Sequence, residues 1–183
     1  LNPWYQFYFH DGSTFNYGGT IKDTENEIKK FSPVDVKGYR KLVKMSEKIF
    51  NTGFSELSHV PFHNFFFMLK QIPKLIKLKS YLTVYQLVSR YIKNANLHKA
   101  FSIQPLLLGG NPVTTTSIYN LIHFLERKWG VHYALGGTGA IVKAFKKLML
   151  EEKIEINLCS EVEEIKFENK VAKGIKLKNG KQI

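Results

Sequence analysis

The stretch Val131-His-Tyr-Ala-Leu-Gly-Gly-Thr-Gly-Ala-Ile-Val-Lys-Ala-Phe-Lys-Lys-Leu-Met-Leu-Glu151 decides the reading of the fold. Val131 to Leu135 is short and largely apolar, the glycines allow a tight turn, and Ala140 to Glu151 has the pattern of a helix. Ile154 to Leu158 reads as a second strand, which completes a strand, glycine turn, helix, strand unit of the α/β kind. Val162 to Phe167 and Val171 to Leu177 then alternate as an antiparallel ladder, and Asn179-Gly180 is a strong hairpin signal. Residues 131–183 are therefore expected to form an α/β layer with antiparallel strands.

Upstream the grammar differs. Trp4 to Phe9 and Thr14 to Tyr17 flank His10-Asp11-Gly12-Ser13 and read as a hairpin within residues 1–20. Residues 21–130 read as a mainly helical module. Its clearest helix follows Ser32-Pro33-Val34-Asp35, with Ser32 as N-cap, Pro33 at the first helical position and Asp35 as an early carboxylate. Further helices are expected around 64–72, 82–93, 96–104 and 115–128, separated by Pro61, Pro73 and the Gly109-Gly110-Asn111-Pro112 turn. The fold class is thus mixed α+β and α/β.

The 183 residues are 44% hydrophobic, which excludes general disorder. Lys and Arg number 27 against 15 acids, a net charge of +12 that suggests an anionic partner. The single Cys159 excludes an intramolecular disulfide. No run approaches the roughly 20 mostly apolar residues of a spanning helix. No signal-peptide pattern opens the chain, so cytosolic is the default compartment. Because strand patterns stand at both limits, the sequence is expected to be an internal piece of a longer protein.

Charge placement says more than net charge. Between Glu56 and Glu126 there is no acidic residue, and the segment from Phe62 to Lys79 joins bulky apolar groups to lysines. Three readings stay open: core plus an ordinary solvated face, contact with a membrane, or nucleic acid. Nucleic acid ranks last, since the cations are nearly all Lys rather than the Arg forks suited to phosphates. In a membrane reading, Phe65, Phe66 and Leu69 enter the acyl boundary while Lys70, Lys74, Lys77 and Lys79 meet anionic headgroups. His59 and His63 have the spacing of two metal ligands, but Pro61 lies between them and no third ligand is near, so no metal site is expected. His123 stands four residues after Tyr119 on one expected helical face, either hydrogen-bonded in the core or lining a ligand cavity.

Gly136-Gly137-Thr138-Gly139, with Glu161 beyond it, partly matches a dinucleotide fingerprint, but the third glycine falls at Val142. A tight turn that lets helix and strand pack closely is the competing reading.

Taken together, Phe31-Ser-Pro-Val-Asp-Val-Lys-Gly-Tyr-Arg40, Gly53-Phe-Ser-Glu-Leu57, Val60-Pro-Phe62, Leu106-Leu-Leu-Gly-Gly-Asn-Pro112, Ser117-Ile-Tyr-Asn-Leu-Ile-His123, Leu125-Glu-Arg-Lys-Trp-Gly-Val131 and Gly136-Gly-Thr-Gly-Ala-Ile-Val142 resemble, in order and spacing, the bacterial and fungal type phytoene desaturases. The resemblance covers essentially the whole chain. It implies a flavoprotein related to the amine-oxidase fold, peripheral on the cytoplasmic face of a membrane, that introduces double bonds into a linear polyene with FAD as hydride acceptor. In such enzymes the glycine-rich loop holding the FAD diphosphate would precede Leu1, so these residues alone are expected to be inactive and not to retain FAD. The resemblance places Gly136, Gly137 and Thr138 near FAD without making them its diphosphate loop, and sets Glu161 and Val162 toward its adenine side. Asn111, Tyr119 and His123 become candidates for the substrate channel. An amine-oxidase-like or retinol-saturase-like flavoprotein, or a non-catalytic membrane-binding module, are the alternatives.

The chain also departs from the family. Phe66-Phe67 stands where many relatives carry Arg-Asp, Ile103-Gln104 where Phe-His is frequent, and Val113 where Phe is frequent. A polar acid/base pair at 66–67 is therefore absent.

Overall fold

The computed structural model describes residues 2–56 and 65–183. Two compact units emerge, Leu1–His132 and Tyr133–Ile183. Within the first, strands β1 (Tyr5–Tyr8) and β2 (Thr14–Tyr17) pair antiparallel, with Tyr5 opposite Tyr17 and Phe7 opposite Phe15. Alternation turns Phe15 and Tyr17 inward, where both are buried.

Helix α1 (Ile21–Phe31) was not anticipated above. Its signal is Thr20-x-x-Asp23, a capping box in which the Thr20 side chain accepts from the Asp23 N–H and the Asp23 carboxylate accepts from the Thr20 N–H. Because α1 extends to Phe31, Ser32 closes this helix rather than opening the next, its N–H bonding the Ile28 carbonyl. Helix α2 (Asp35–Phe50) begins after Val34 without a side-chain cap. Asp35 serves another segment: its buried carboxylate accepts from the N–H groups of Lys93 and Asn94 at 2.9 and 2.8 Å. Asn94 in turn caps α5 (Ala95–Ala100).

The expected helix near 64–72 is α3 (Phe65–Lys77), which continues through Pro73 instead of stopping there. Proline removes one helical donor. The chain downstream closes on its own carbonyls, with Leu78 N–H on Lys74 and Ser80 N–H on Leu75, and burial of Leu78 anchors it. The expectation for 82–93 narrows to α4 (Val84–Ser89), capped by Thr83 and Gln86. The segment 115–128 opens as a 3₁₀ turn, Ser117–Asn120, before α6 (Leu121–Trp129), which ends at Gly130 with φ of 76°. One core joins Phe15, Tyr17, Ile28, Tyr39, Leu42, Val88 and Phe101.

In the second unit, α7 (Thr138–Glu151) precedes the hairpin of β3 (Val162–Glu168) and β4 (Val171–Leu177). Lys181 to Ile183 returns along β4, Ile175 and Ile183 exchanging N–H bonds. The strands expected at Val131 to Leu135 and Ile154 to Leu158 are not formed. Neither has a pairing strand among the described residues, and a strand exists only by sharing its N–H and C=O groups with another. The unit thus holds a helix and an antiparallel hairpin, without a parallel layer. Ile141, Val142, Phe145 and Leu148 on α7 stay exposed.

Gly38 shows how closely α2 meets its neighbours. A Cβ there would stand 1.8 Å from the Tyr91 carbonyl oxygen. Helix propensity alone would make Gly38→Ala stabilising by about 1 kcal/mol. Backbone contact reverses the sign, so denaturant unfolding of the full-length protein is expected to show a loss of about 2–3 kcal/mol; a gain would contradict this approach.

Candidate functional site

Three places gather the residues singled out by sequence. The first is a buried polar cluster on α6. His123 and Glu126, three residues apart, share its inner face, and Tyr17 and Tyr5 reach them from the hairpin. Tyr17 Oη lies 3.0 Å from His123 Nδ1 and 3.1 Å from Glu126 Oε2, while Tyr5 Oη donates to Glu126 Oε1 at 2.9 Å. His123 Nε2 is 3.1 Å from both the Phe101 carbonyl and the Gln104 amide. Arg127 donates to the Gly18, Gly19 and Thr20 carbonyls and lies over the rings of Trp4 and Tyr17 at 4.6 and 4.5 Å.

Burial lowers the His123 pKa to about 3, so the ring is neutral. Both ring nitrogens are thus engaged, Nδ1 with the Tyr17 hydroxyl and Nε2 with the Phe101 carbonyl and the Gln104 amide. Tyr17 Oη donates to Glu126 Oε2, and the same carboxyl group accepts from Tyr5 on its other oxygen. Burial raises the pKa of the Glu126 carboxyl against the opposing bonds from Tyr5 and Tyr17 and the charge of Arg127. Burial and the nearby Glu126 likewise raise Tyr17 well above its usual range.

His123 is therefore enclosed in the core, hydrogen-bonded at both nitrogens. Tyr119 falls in the 3₁₀ turn before α6, so the four-residue spacing does not place it on one α-helical face with His123. It packs half-buried against the core. Asn111 sits in an exposed turn, its side chain accepting from the Val113 N–H. Tyr5, Tyr17, Glu126 and Arg127 escaped the sequence reading. A usable signal was present, since Glu126 ends the acid-free stretch three residues after His123.

The second place is α3. Phe65 and Phe66 are 63% and 79% exposed, and Leu69, Ile72 and Ile76 are exposed with them. Helical spacing puts Phe65, Leu69, Ile72 and Ile76 in one stripe, with Lys70, Lys74 and Lys77 alongside and Gln71 toward the body of the unit. Lys74 is paired to Glu56 at 2.9 Å, and Lys79, with φ of 58°, lies 5.7 Å over Tyr91. Lys70 and Lys77 have no ion pair among the described residues. His59, Val60, Pro61, Phe62 and His63 lie outside the described residues.

The third is the glycine turn. Gly136 and Gly137 have φ of 84° and 77°, which glycine adopts without strain, and Gly137 precedes α7 without a side-chain cap. A Cβ on Gly139 would meet open space. Glu161 pairs with Lys178, and Val162 stands opposite Leu177 at the start of the β3–β4 ladder.

The buried cluster has a measurable signature. Depression of the His123 pKa contributes stability that is present above its usual 6.5 and lost as pH falls toward 3. Elevation of Glu126 does the reverse: its contribution is full below the usual 4.5 and is lost as pH rises through the folded value. Between 4.5 and the folded value of Glu126 the two slopes oppose. Glu126→Gln removes one of them, so the full-length variant should lose stability relative to the parent on acidification across that window. Urea midpoints should diverge by up to about 1.4 kcal/mol per pH unit, and parallel profiles would contradict the assignment.

No protein-family model matches the chain. Curated relatives align along its whole length. A lycopene-forming phytoene desaturase of Pseudescherichia vulneris is 41% identical over 99% of this chain and 37% of its own length. The lycopene-forming phytoene desaturase of Pantoea ananas is 38% identical over 100% of this chain and 37% of its own. A neurosporene-forming phytoene desaturase of Cereibacter sphaeroides is 34% identical over 100% and 35%. The chain thus spans a little over a third of the length of these relatives. Similarity along the whole chain to proteins named phytoene desaturases supports its being a segment of a carotenoid desaturase.

Proposed function

We propose that the full protein desaturates a linear polyene precursor in carotenoid biosynthesis, using FAD, from a peripheral position on a membrane. The observation that carries the reaction is the whole-length similarity to phytoene desaturases of two product types. FAD, when bound, would supply the two-electron acceptor for hydride removal.

The residues present are compatible with a flavin. Gly136 and Gly137 make a turn without side-chain bulk, and the uncapped start of α7 leaves first-turn N–H groups of Thr138 and Gly139 free of intrahelical partners. Gly136, Gly137 and Thr138 would approach the cofactor through backbone, and Glu161 and Val162 would stand at its adenine side. The His123 cluster is a poor candidate for proton removal from an apolar substrate, since it is enclosed and its hydrogen bonds are internal. Its part is to hold α6 against the hairpin. Phe66, exposed, offers apolar contact where an acid/base pair would otherwise stand.

The face of α3 supports the membrane position. Among the described residues no helix is long and apolar enough to cross a membrane. An exposed apolar stripe beside lysines suits a helix lying in the interface, with the apolar side chains in the acyl boundary. A polyene without polar groups partitions into the bilayer, so an enzyme acting on it gains from an apolar face there.

Full-length protein reconstituted with FAD and given phytoene in anionic vesicles is expected to yield products of longer conjugation, seen as red-shifted absorption on chromatography. Bound flavin with unchanged phytoene would overturn the reaction. For the surface, Lys70→Glu with Lys77→Glu should weaken binding to anionic vesicles at least about thirtyfold at low salt, each lysine contributing about 1 kcal/mol, and less as salt rises. Phe65→Ser with Phe66→Ser should weaken it at all salt concentrations. Unchanged binding of both variants would remove α3 from the membrane face.

A further inference from the structure

A groove of about 570 Å³ lies between α1, α2 and α6, on elements that the function above leaves unused. Two helical stripes form its walls. Arg40, Val43, Lys44 and Glu47 recur on α2 at the spacing of one face, and Phe124, Arg127 and Lys128 do so on α6. Ile21 at the start of α1 completes the apolar lining with Val43 and Phe124.

Charge in this groove is unbalanced. Arg40 is neutralised by Glu25 through two 2.7 Å bonds. Lys44, Arg127 and Lys128 have no carboxylate at ion-pair distance among the described residues, and Glu47 is the one carboxylate in the lining. Lys128 instead lies over the faces of Trp129, Phe124 and Phe50, at 4.6, 5.6 and 5.7 Å. Arg127 spends Nη1 on three carbonyls, while its buried Nε and Nη2 have no hydrogen-bond partner. The Arg127 charge, felt by the nearby Glu126 and Asp23 carboxyls though at ion-pair distance from neither, adds to the positive potential of the wall it forms.

We infer that this groove binds a phosphate-headed, single-chain amphiphile. The chain lies on Ile21, Val43 and Phe124, and the phosphate sits between Lys44 and Lys128 with the charge of Arg127 behind it. A phosphate monoester carries close to two negative charges at neutral pH, which matches the two ammonium groups of Lys44 and Lys128 better than one carboxylate would. The volume fits one small ligand, within the usual range of about 300–1,000 Å³. The inference stands apart from desaturation and from the membrane face on α3.

The test is calorimetric titration of the full-length protein with dodecyl phosphate below its micelle concentration, beside dodecyltrimethylammonium and inorganic phosphate. One-to-one binding of dodecyl phosphate is expected, with each comparison ligand at least about tenfold weaker, since a charge-assisted hydrogen bond is worth roughly that factor. Lys44→Glu should cost about tenfold and Lys44→Arg should retain affinity. Val43→Trp, which fills the lining, should abolish binding. Should it unfold, the two Lys44 variants, at an exposed position, decide alone. Lys70→Glu with Lys77→Glu should leave this binding unchanged, which separates the groove from the membrane face. Equal binding of the trimethylammonium compound or of inorganic phosphate, no binding by the parent, or indifference to Lys44→Glu would each overturn the inference.

Discussion

The guanidinium of Arg127 is the constraint on which the first unit depends. It lies over Trp4 and Tyr17 and takes the carbonyls of Gly18 to Thr20, so a single side chain of α6 holds both the hairpin and the turn into α1. Ring faces attract a partly desolvated cation by about 1–2 kcal/mol, and the carbonyls supply polar contacts to Nη1. Next to it, Glu126 joins Tyr5 and Tyr17, and Tyr17 continues to His123, whose other nitrogen meets the Phe101 carbonyl. Hairpin, α5 end and α6 are thereby tied through groups with directional bonds. Apolar packing of Phe15, Tyr39 and Phe101 fills the space between them.

The proposed membrane face and groove lie outside this frame. With the polar cluster closed inward, α3 presents its phenylalanines outward beside Lys70 and Lys77, and in the α1–α2–α6 groove Lys44 and Lys128 have no ion pair among the described residues. The second unit exposes the apolar side chains of α7 in the same way.

Local grammar was legible wherever the signal was short-range. The hairpin around Asp11-Gly12, the β3–β4 ladder and the helix through Tyr39 and Leu42 all follow from alternation or helical spacing. Helix α1 was also within reach, through the Thr20 and Asp23 capping box. Long-range effects were not. Asp35 looks like a first-turn carboxylate but is recruited by the N–H groups of Lys93 and Asn94, 58 and 59 residues away. The runs Val131 to Leu135 and Ile154 to Leu158 have strand composition but no partner strand among the described residues. Likewise His123 was legible as a core or cavity residue, while its partnership with Tyr17 spans 106 positions. The turn at Gly136 and Gly137 was recognisable because positive φ favours glycine, whatever ligand the turn serves.

The most direct measurement is an anaerobic single turnover of FAD-loaded full-length protein with phytoene in vesicles, following flavin and polyene absorbance together. The account expects the oxidised flavin band to bleach with one new polyene double bond formed per flavin reduced. A flavin that stays oxidised while it is readily bleached by an amine substrate would contradict it, and would move the protein to amine-oxidase chemistry.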